Sequence, residues 1–521
     1  MRSTVLSAEE DDEFCVAERG IGLWSLLRDL RAMRPQRATT QLVKHCSRQP
    51  SGGSGGGPRS RNADTHVPRR EDPLRASIRR SLLAVLAAIA AGCGTPSVTP
   101  PSAPTASPSS HVISHVVIVV QENRSFDNMF SGFPGTDAPI YGYAGKTKVA
   151  LRKVALESPY QVNNDWSDAI VSWDRGKMDG FNAQQLSGSG PPLLAYSYVP
   201  RAESAPYWAM AAQYVLADRM FPTEFGPSFT AHLNLIGGNT ELAPGRAEVD
   251  VPTALPWGCD APPSTTTSTI DTARVEAYNG PFPCFTQFRT LADTLDAAGV
   301  SWKYYAPAVN SGLDGDAWSE FDAIRSVRFG PDWRKVVSPE TAVFADLKNN
   351  ALPSVSWVIP DLMNSDHPGT GGNTGPSWVA SVVNAIGASA YWDSSAIVVL
   401  WDDWGGWYDD VPPPQLDFRG LGIRVPCILI SPFARIAPGA KAGYVSHTQY
   451  EFGSVLRFVE DTFGLPQLGA ASLGYTDARA ATLGDSLDLT QKPRAFTHIT
   501  APYSQAYFRN ETPSLRPPDD R

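Results

Sequence analysis

The sequence predicts an α/β fold, a mostly parallel sheet covered by helices on both faces. Two observations predict it: continuous β-branched runs recur along the chain, and stretches of helical periodicity lie between them. A third adds long loop insertions, since 45 Pro and 43 Gly in 521 residues require extended excursions between regular elements. The chain is 42 % apolar, with 14 Trp, 17 Tyr and 21 Phe, which builds a packed core and excludes dominant disorder.

Residues 1–93 read as a leader. The Gly-Ser run Ser51–Gly57 is flanked by Arg-rich segments without apolar period, so disorder is expected there. Arg75, Arg79 and Arg80 then precede the apolar run Leu82–Ala91 and Gly92-Cys93, the parts of an export signal. Ala90-Ala91-Gly92-Cys93 resembles a bacterial lipobox, which makes Cys93 the expected lipid anchor; Arg79-Arg80 also fits a weak twin-arginine signal. Such signals stand at a true N-terminus, so residues 1–70 are expected to be an unstructured extension or to lie upstream of the real start. Residues 94–110 are rich in Pro, Ser, Thr and Ala and read as a tether. Residues 111–521 form the expected catalytic domain.

Within that domain, His115–Gln121 (HVVIVVQ), Ser354–Pro360 (SVSWVIP), Ser395–Trp401 (SAIVVLW) and Val425–Ser431 (VPCILIS) read as buried strands. Gln287–Ala298 reads as a helix, with Leu291, Leu295 and Ala298 on one face and Gly299 as its stop. Trp378–Ile386 reads as another. A third is expected to start at Thr448, through a Thr448-x-x-Glu451 capping box, and to end at Gly464. Cys427 falls in a strand as a small hydrophobe. Cys259 and Cys284 lie in a Pro/Thr/Ser-rich excursion and are expected to pair in an oxidising compartment.

The net charge of −9 hides a basic leader, so the body is more acidic than the total suggests. Such a body repels a polyphosphate backbone, which argues against a nucleic-acid partner. No run of 18 apolar residues occurs, so a bundle of membrane-spanning helices is excluded.

The polar clusters follow strand ends, where α/β folds gather functional groups. Glu122-Asn123-Arg124-Ser125-Phe126-Asp127 leaves the first strand and Asp402-Asp403-Trp404-Gly405-Gly406 leaves the third. Adjacent carboxylates at a buried strand end are unfavourable unless a cation neutralises them. With a carboxylate and an amide from another strand they make an oxygen-rich cage suited to Mg²⁺, Ca²⁺ or Mn²⁺. The competing reading makes Asp402 and Asp403 turn caps and leaves Glu122 in a solvated loop. Ser228 follows the turn at Gly226-Pro227 and opens a helical stretch, where the N-terminal dipole suits a phosphate and a cation would favour the alkoxide. An ordinary N-cap is the alternative.

QENRSFDNMF, GPSFTAHLNLIGG, DLMNSDHPG and WDDWGGWYDDVPPP, in that order, resemble the phosphoesterase family of bacterial phospholipases C and related acid phosphatases. That family belongs to the alkaline-phosphatase-like superfamily, and the resemblance runs from about Ser114 to about Phe496. It implies a divalent metal held by Glu122, Asn123, Asp402 and Asp403, with Ser228 as nucleophile and further ligand. His367 resembles the family's active-site His, suited to bind a phosphoryl oxygen or assist the leaving group. His232 reads as structural and His447 as orienting a loop. Where family members often carry Asp-Glu-His-Gly-Gly and then Asp-His, this chain has Asp403, Trp404 and Asp410, and Asn164 replaces a common His. Trp401, Trp404, Trp407 and Tyr408 could stack on a choline-like group, though core packing is their default. The expected function is an exported, metal-dependent, phospholipase C-like phosphoesterase acting on a phosphate ester such as a phospholipid. The alternatives are an acid phosphatase-like phosphomonoesterase and a catalytically silent, lipid-anchored binding protein.

Overall fold

The computed structural model describes residues 112–512, apart from 185, 188–189, 310–314 and 370–371. The leader, the tether and Cys93 lie outside the described residues, as do Cys15 and Cys46. Among the described residues, no helix is long and apolar enough to cross a membrane.

Nine strands form one sheet: β1 His115–Gln121, β2 Val215–Phe221, β3 Trp302–Tyr305, β4 Val336–Val337, β5 Val355–Val358, β6 Ser395–Trp401, β7 Val425–Ile430, β8 Tyr444–Ser446 and β9 Tyr450–Glu451. Their order is β4-β3-β5-β1-β6-β7-β2-β8, with β9 also on β2. The four predicted strands are present, two of them shorter than their apolar runs. Successive side chains of a strand point to opposite faces. Every residue from Val116 to Gln121 and from Ser395 to Trp401 is buried, so both faces of the sheet centre are covered. Pairings at β1, β3 and β5 are parallel, whereas β7 runs antiparallel to both β6 and β2. The sheet is therefore mixed but mostly parallel.

The helices that matter here are α1 Phe126–Phe130, α2 Ala205–Gln213, α3 Ser228–Gly237, α4 Leu291–Ala298, α5 Gly375–Gly387 and α6 Phe452–Phe463. Helix α4 starts four residues later than its apolar pattern suggests, because Thr290 and Asp293 close a capping box there. The third expected helix is corrected. Thr448 does not cap it; its hydroxyl donates to Asp485 at 3.0 Å. Tyr450 and Glu451 are drawn into the sheet as β9, and Glu451 and Ser454 form the capping box of α6 instead. Cys259 and Cys284 are bridged, with Cα atoms 4.4 Å apart, and Cys427 is a buried free thiol.

Candidate active site

Parallel pairing of β1 with β6 sets the site. Gln121 stands opposite Trp401, so residues 122–123 and 402–403 leave the sheet side by side at its carboxyl edge. The Asp402 amide donates to Gln121 O at 2.9 Å, and the Asn123 amide donates to Asp402 Oδ1 at 2.9 Å. Asn123 takes a left-handed backbone, φ 60°, which an Asn tolerates. Gly405, φ 59°, lies so close that a Cβ there would stand 2.0 Å from Asn123 O. Only glycine allows the two acidic loops to meet in this way.

Helix α3 brings Ser228 and His232 to the same place, one turn apart. Pro227 is the N-cap, so the ordinary capping role for Ser228 does not hold. Its hydroxyl instead faces Glu122 Oε2 at 3.2 Å and Asp403 Oδ2 at 3.4 Å. His232 Nε2 lies 2.9 Å from Glu122 Oε1 and 3.8 Å from Asp402 Oδ2. Its place four residues after Ser228 puts both on one helix face.

Glu122, Asp402 and Asp403 are fully buried. Asn164 Nδ2 reaches both oxygens of Asp403 at 3.0 Å, and the Gly405 amide donates to Asp403 Oδ1 at 2.6 Å. Asp402 Oδ2 and Asn123 Oδ1 are buried without a hydrogen-bond partner. Buried lone pairs left open on a carboxylate and an amide fit a hard cation. Asp403 does cap the turn before Gly405-Gly406, since its Oδ1 accepts from the Gly405 amide, but Glu122 is enclosed and not in a solvated loop.

A second acidic cluster a few residues away answers its charge differently. Arg424 Nε contacts Asp409 at 2.9 Å, and its Nη2 contacts Asp127 at 3.0 Å and Asp410 at 3.2 Å. Burial pushes Asp410 up to about 7, Asp409 adds to this, and Arg424 opposes it. Burial disfavours the Arg424 cation, but the three carboxylates outweigh it and raise its pKa. Here the cation is built in, so Asp410 belongs to a structural ion cluster.

His367 is buried, with Nδ1 2.7 Å from Pro368 O and its ring 6.2 Å from that of Trp318. A carbonyl only accepts, so Nδ1 carries the proton of that bond. Beside it, burial pushes Asp366 up to about 7, although Tyr207 and Trp401 donate to it at 2.7 and 3.2 Å. His447 binds Asp218 at 2.9 Å with its ring mostly exposed, a contact that ties its loop to β2. Trp401, Trp404, Trp407 and Tyr408 are buried and pack as core: Tyr408 stacks on Tyr196 and Trp404 meets Phe181 edge-on.

The sequence model of the Phosphoesterase family matches residues 113–466. Phospholipase C B of Mycobacterium tuberculosis is 26% identical over 71% of this chain and 76% of its own length. Non-specific phospholipase C1 of Arabidopsis thaliana is 27% identical over 73% of this chain and 71% of its own. Among solved structures, a protein in the alkaline phosphatase superfamily from Vibrio parahaemolyticus is similar over 72% of each chain, with 11% identity and a TM-score of 0.34.

Proposed function

The chain belongs to the Phosphoesterase family, and from that membership we propose that it is an exported, phospholipase C-like hydrolase of phosphate esters with Ser228 as its nucleophile. The observation that carries this reading is the Ser228 hydroxyl. It is buried at the first turn of a ten-residue helix, between carboxylates that arrive from two different strand ends. Similarity to phospholipases C from a bacterium and a plant supports a phospholipid or related ester as substrate.

Glu122, Asn123, Asp402, Asp403 and Ser228 would hold a divalent cation. When bound, it offsets charge on the phosphoryl oxygens and lowers the cost of ionising Ser228. The chain's own groups then divide the work. Ser228 Oγ bonds to phosphorus as the ester P–O bond breaks, and water later cleaves the phosphoseryl enzyme. The Ser228 hydroxyl faces Glu122 Oε2 at 3.2 Å and Asp403 Oδ2 at 3.4 Å, and its one proton passes to the nearer, Glu122 Oε2, as the bond to phosphorus forms. First-turn amides of α3 bind phosphoryl oxygens. His367 is assigned to the leaving oxygen; with Nδ1–H committed to Pro368 O, the proton it delivers comes from Nε2. The apolar run Leu82–Ala91 with Cys93 supports export and lipid anchoring, as does a disulfide suited to an oxidising compartment.

The test is p-nitrophenol release from p-nitrophenylphosphorylcholine and from p-nitrophenyl phosphate, with and without EDTA. Preference for the diester marks the phospholipase-like reading, and preference for the monoester marks the phosphatase. Ser228→Ala should abolish turnover with the fold retained by circular dichroism. Wild-type turnover in folded Ser228→Ala would end the serine mechanism.

A further inference from the structure

We propose that His232 is itself a ligand of the cation, through Nε2, and that this nitrogen turns the centre from Mg²⁺ and Ca²⁺ toward Mn²⁺. The inference rests on reading the buried cluster as a cation site. Atoms that share one ion at about 2.1 Å stand about 3 Å apart at a right angle and about 4.2 Å apart when opposite. His232 Nε2 lies 2.9 Å from Glu122 Oε1 and 3.8 Å from Asp402 Oδ2, inside that window. So do the contacts of Ser228 Oγ with Glu122 and Asp403, at 3.2 and 3.4 Å. Ligand atoms of Glu122, His232 and Asp402 all fall within 4.8 Å of one another, and all three residues are buried.

The rival reading makes His232 an imidazolium that neutralises Glu122. Its single Nε2 proton would be taken by Glu122, and Asp402 Oδ2 would stay buried without a hydrogen-bond partner. A cation among the three atoms answers all of them at once, including that orphaned oxygen. An all-oxygen cage accepts Mg²⁺, Ca²⁺ and Mn²⁺ alike, whereas an imidazole nitrogen bound directly to the ion disfavours the two alkaline-earth ions.

Mn²⁺ is both probe and ligand for the test. Electron spin-echo envelope modulation of the Mn²⁺-loaded full chain should show ¹⁴N coupling from a bound imidazole. The coupling should vanish in His232→Gln and persist in His367→Gln. Calorimetric titration should show His232→Gln weakening Mn²⁺ by about tenfold or more, with a smaller change for Mg²⁺. Mn²⁺ bound without ¹⁴N coupling in the wild type would overturn the His232 assignment and leave the oxygen cage standing. That measurement needs no variant to fold. Coupling that survives in His232→Gln would also overturn it. Failure of the wild type to bind Mn²⁺ at all would remove the cation site and the inference with it.

Discussion

At the residue scale, the roles of Ser228 and Asp402 separate by what a cation can restore. Ser228→Ala removes the atom proposed to bond phosphorus, so added metal should not recover turnover. Asp402→Asn removes one buried negative charge and keeps the shape. Metal affinity and activity should fall together, by about 10-fold or more, and excess Mn²⁺ should recover part of the activity. Titrating both variants with metal while following ester hydrolysis checks this; equal rescue of the two would remove the distinction. The positions of the five proposed metal-site residues were legible because each follows a strand end or opens a helix, whereas the ligand role of Ser228 came only from the family resemblance. His232 was less legible. Its significance lies in a 2.9 Å approach to a side chain 110 positions earlier, and helical spacing alone cannot announce which groups stand across from a face.

At the element scale, continuous β-branched runs located β1 and β6 with their full ranges, since a strand buried on both faces carries a nearly continuous apolar run. Direction was not legible. Nothing in VPCILIS distinguishes a parallel neighbour from an antiparallel one, because double burial imposes the same composition on both. Thr448 shows the other limit of local pattern: its spacing to Glu451 fits a capping box, yet pairing of Tyr450 and Glu451 with the end of β2 prevails over it. The true cap is testable. Ser454 Oγ accepts from the Glu451 amide at 3.0 Å in a fully buried setting. Ser454→Ala should destabilise the protein by about 1 kcal/mol in urea unfolding, whereas Thr448→Ala should stay within about 0.5 kcal/mol.

For the molecule as a whole, buried acids set the pH response. Burial pushes Glu224 up to about 7 from an ordinary 4.5, against the pull of Arg419, Thr240 and Asn234. Asp361 is held up to about 6 in the same way. Below pH 4.5 the Glu224 carboxyl is protonated in both folded and unfolded chains. Between 4.5 and about 7 the folded chain keeps a proton that the unfolded chain has released, so stability falls as pH rises through that window. For Glu224 alone the loss is on the order of 3 to 4 kcal/mol at most, at roughly 1.4 kcal/mol per pK unit. Denaturant titrations at pH 5 and pH 8 should show the decline, and Glu224→Gln, which copies the neutral acid, should make it shallower. An unchanged slope in that variant would show that Glu224 titrates normally.

The reversal of β7 has a mechanical consequence. The segment leaving β6 at Asp402 returns to the same sheet edge at Arg424, because an antiparallel strand begins where its neighbour ends. That segment is thus moored twice, and the moorings differ in kind. At one end Asp402 and Asp403 belong to the proposed cation site; at the other, Arg424 grips Asp409 as part of the chain. Stripping metal should slacken one mooring and leave the other fast. Amide hydrogen exchange with and without EDTA would read this directly: the amides of Asp402 and Gly405 should exchange faster once the ion is gone, while those of Asp410 and Val411, which donate to Asp127 and Asp409, should keep their protection. Equal acceleration at both ends would mean that the segment moves as one piece. Unequal acceleration would make it a flap hinged at Arg424, whose free edge is fastened only while the centre is loaded.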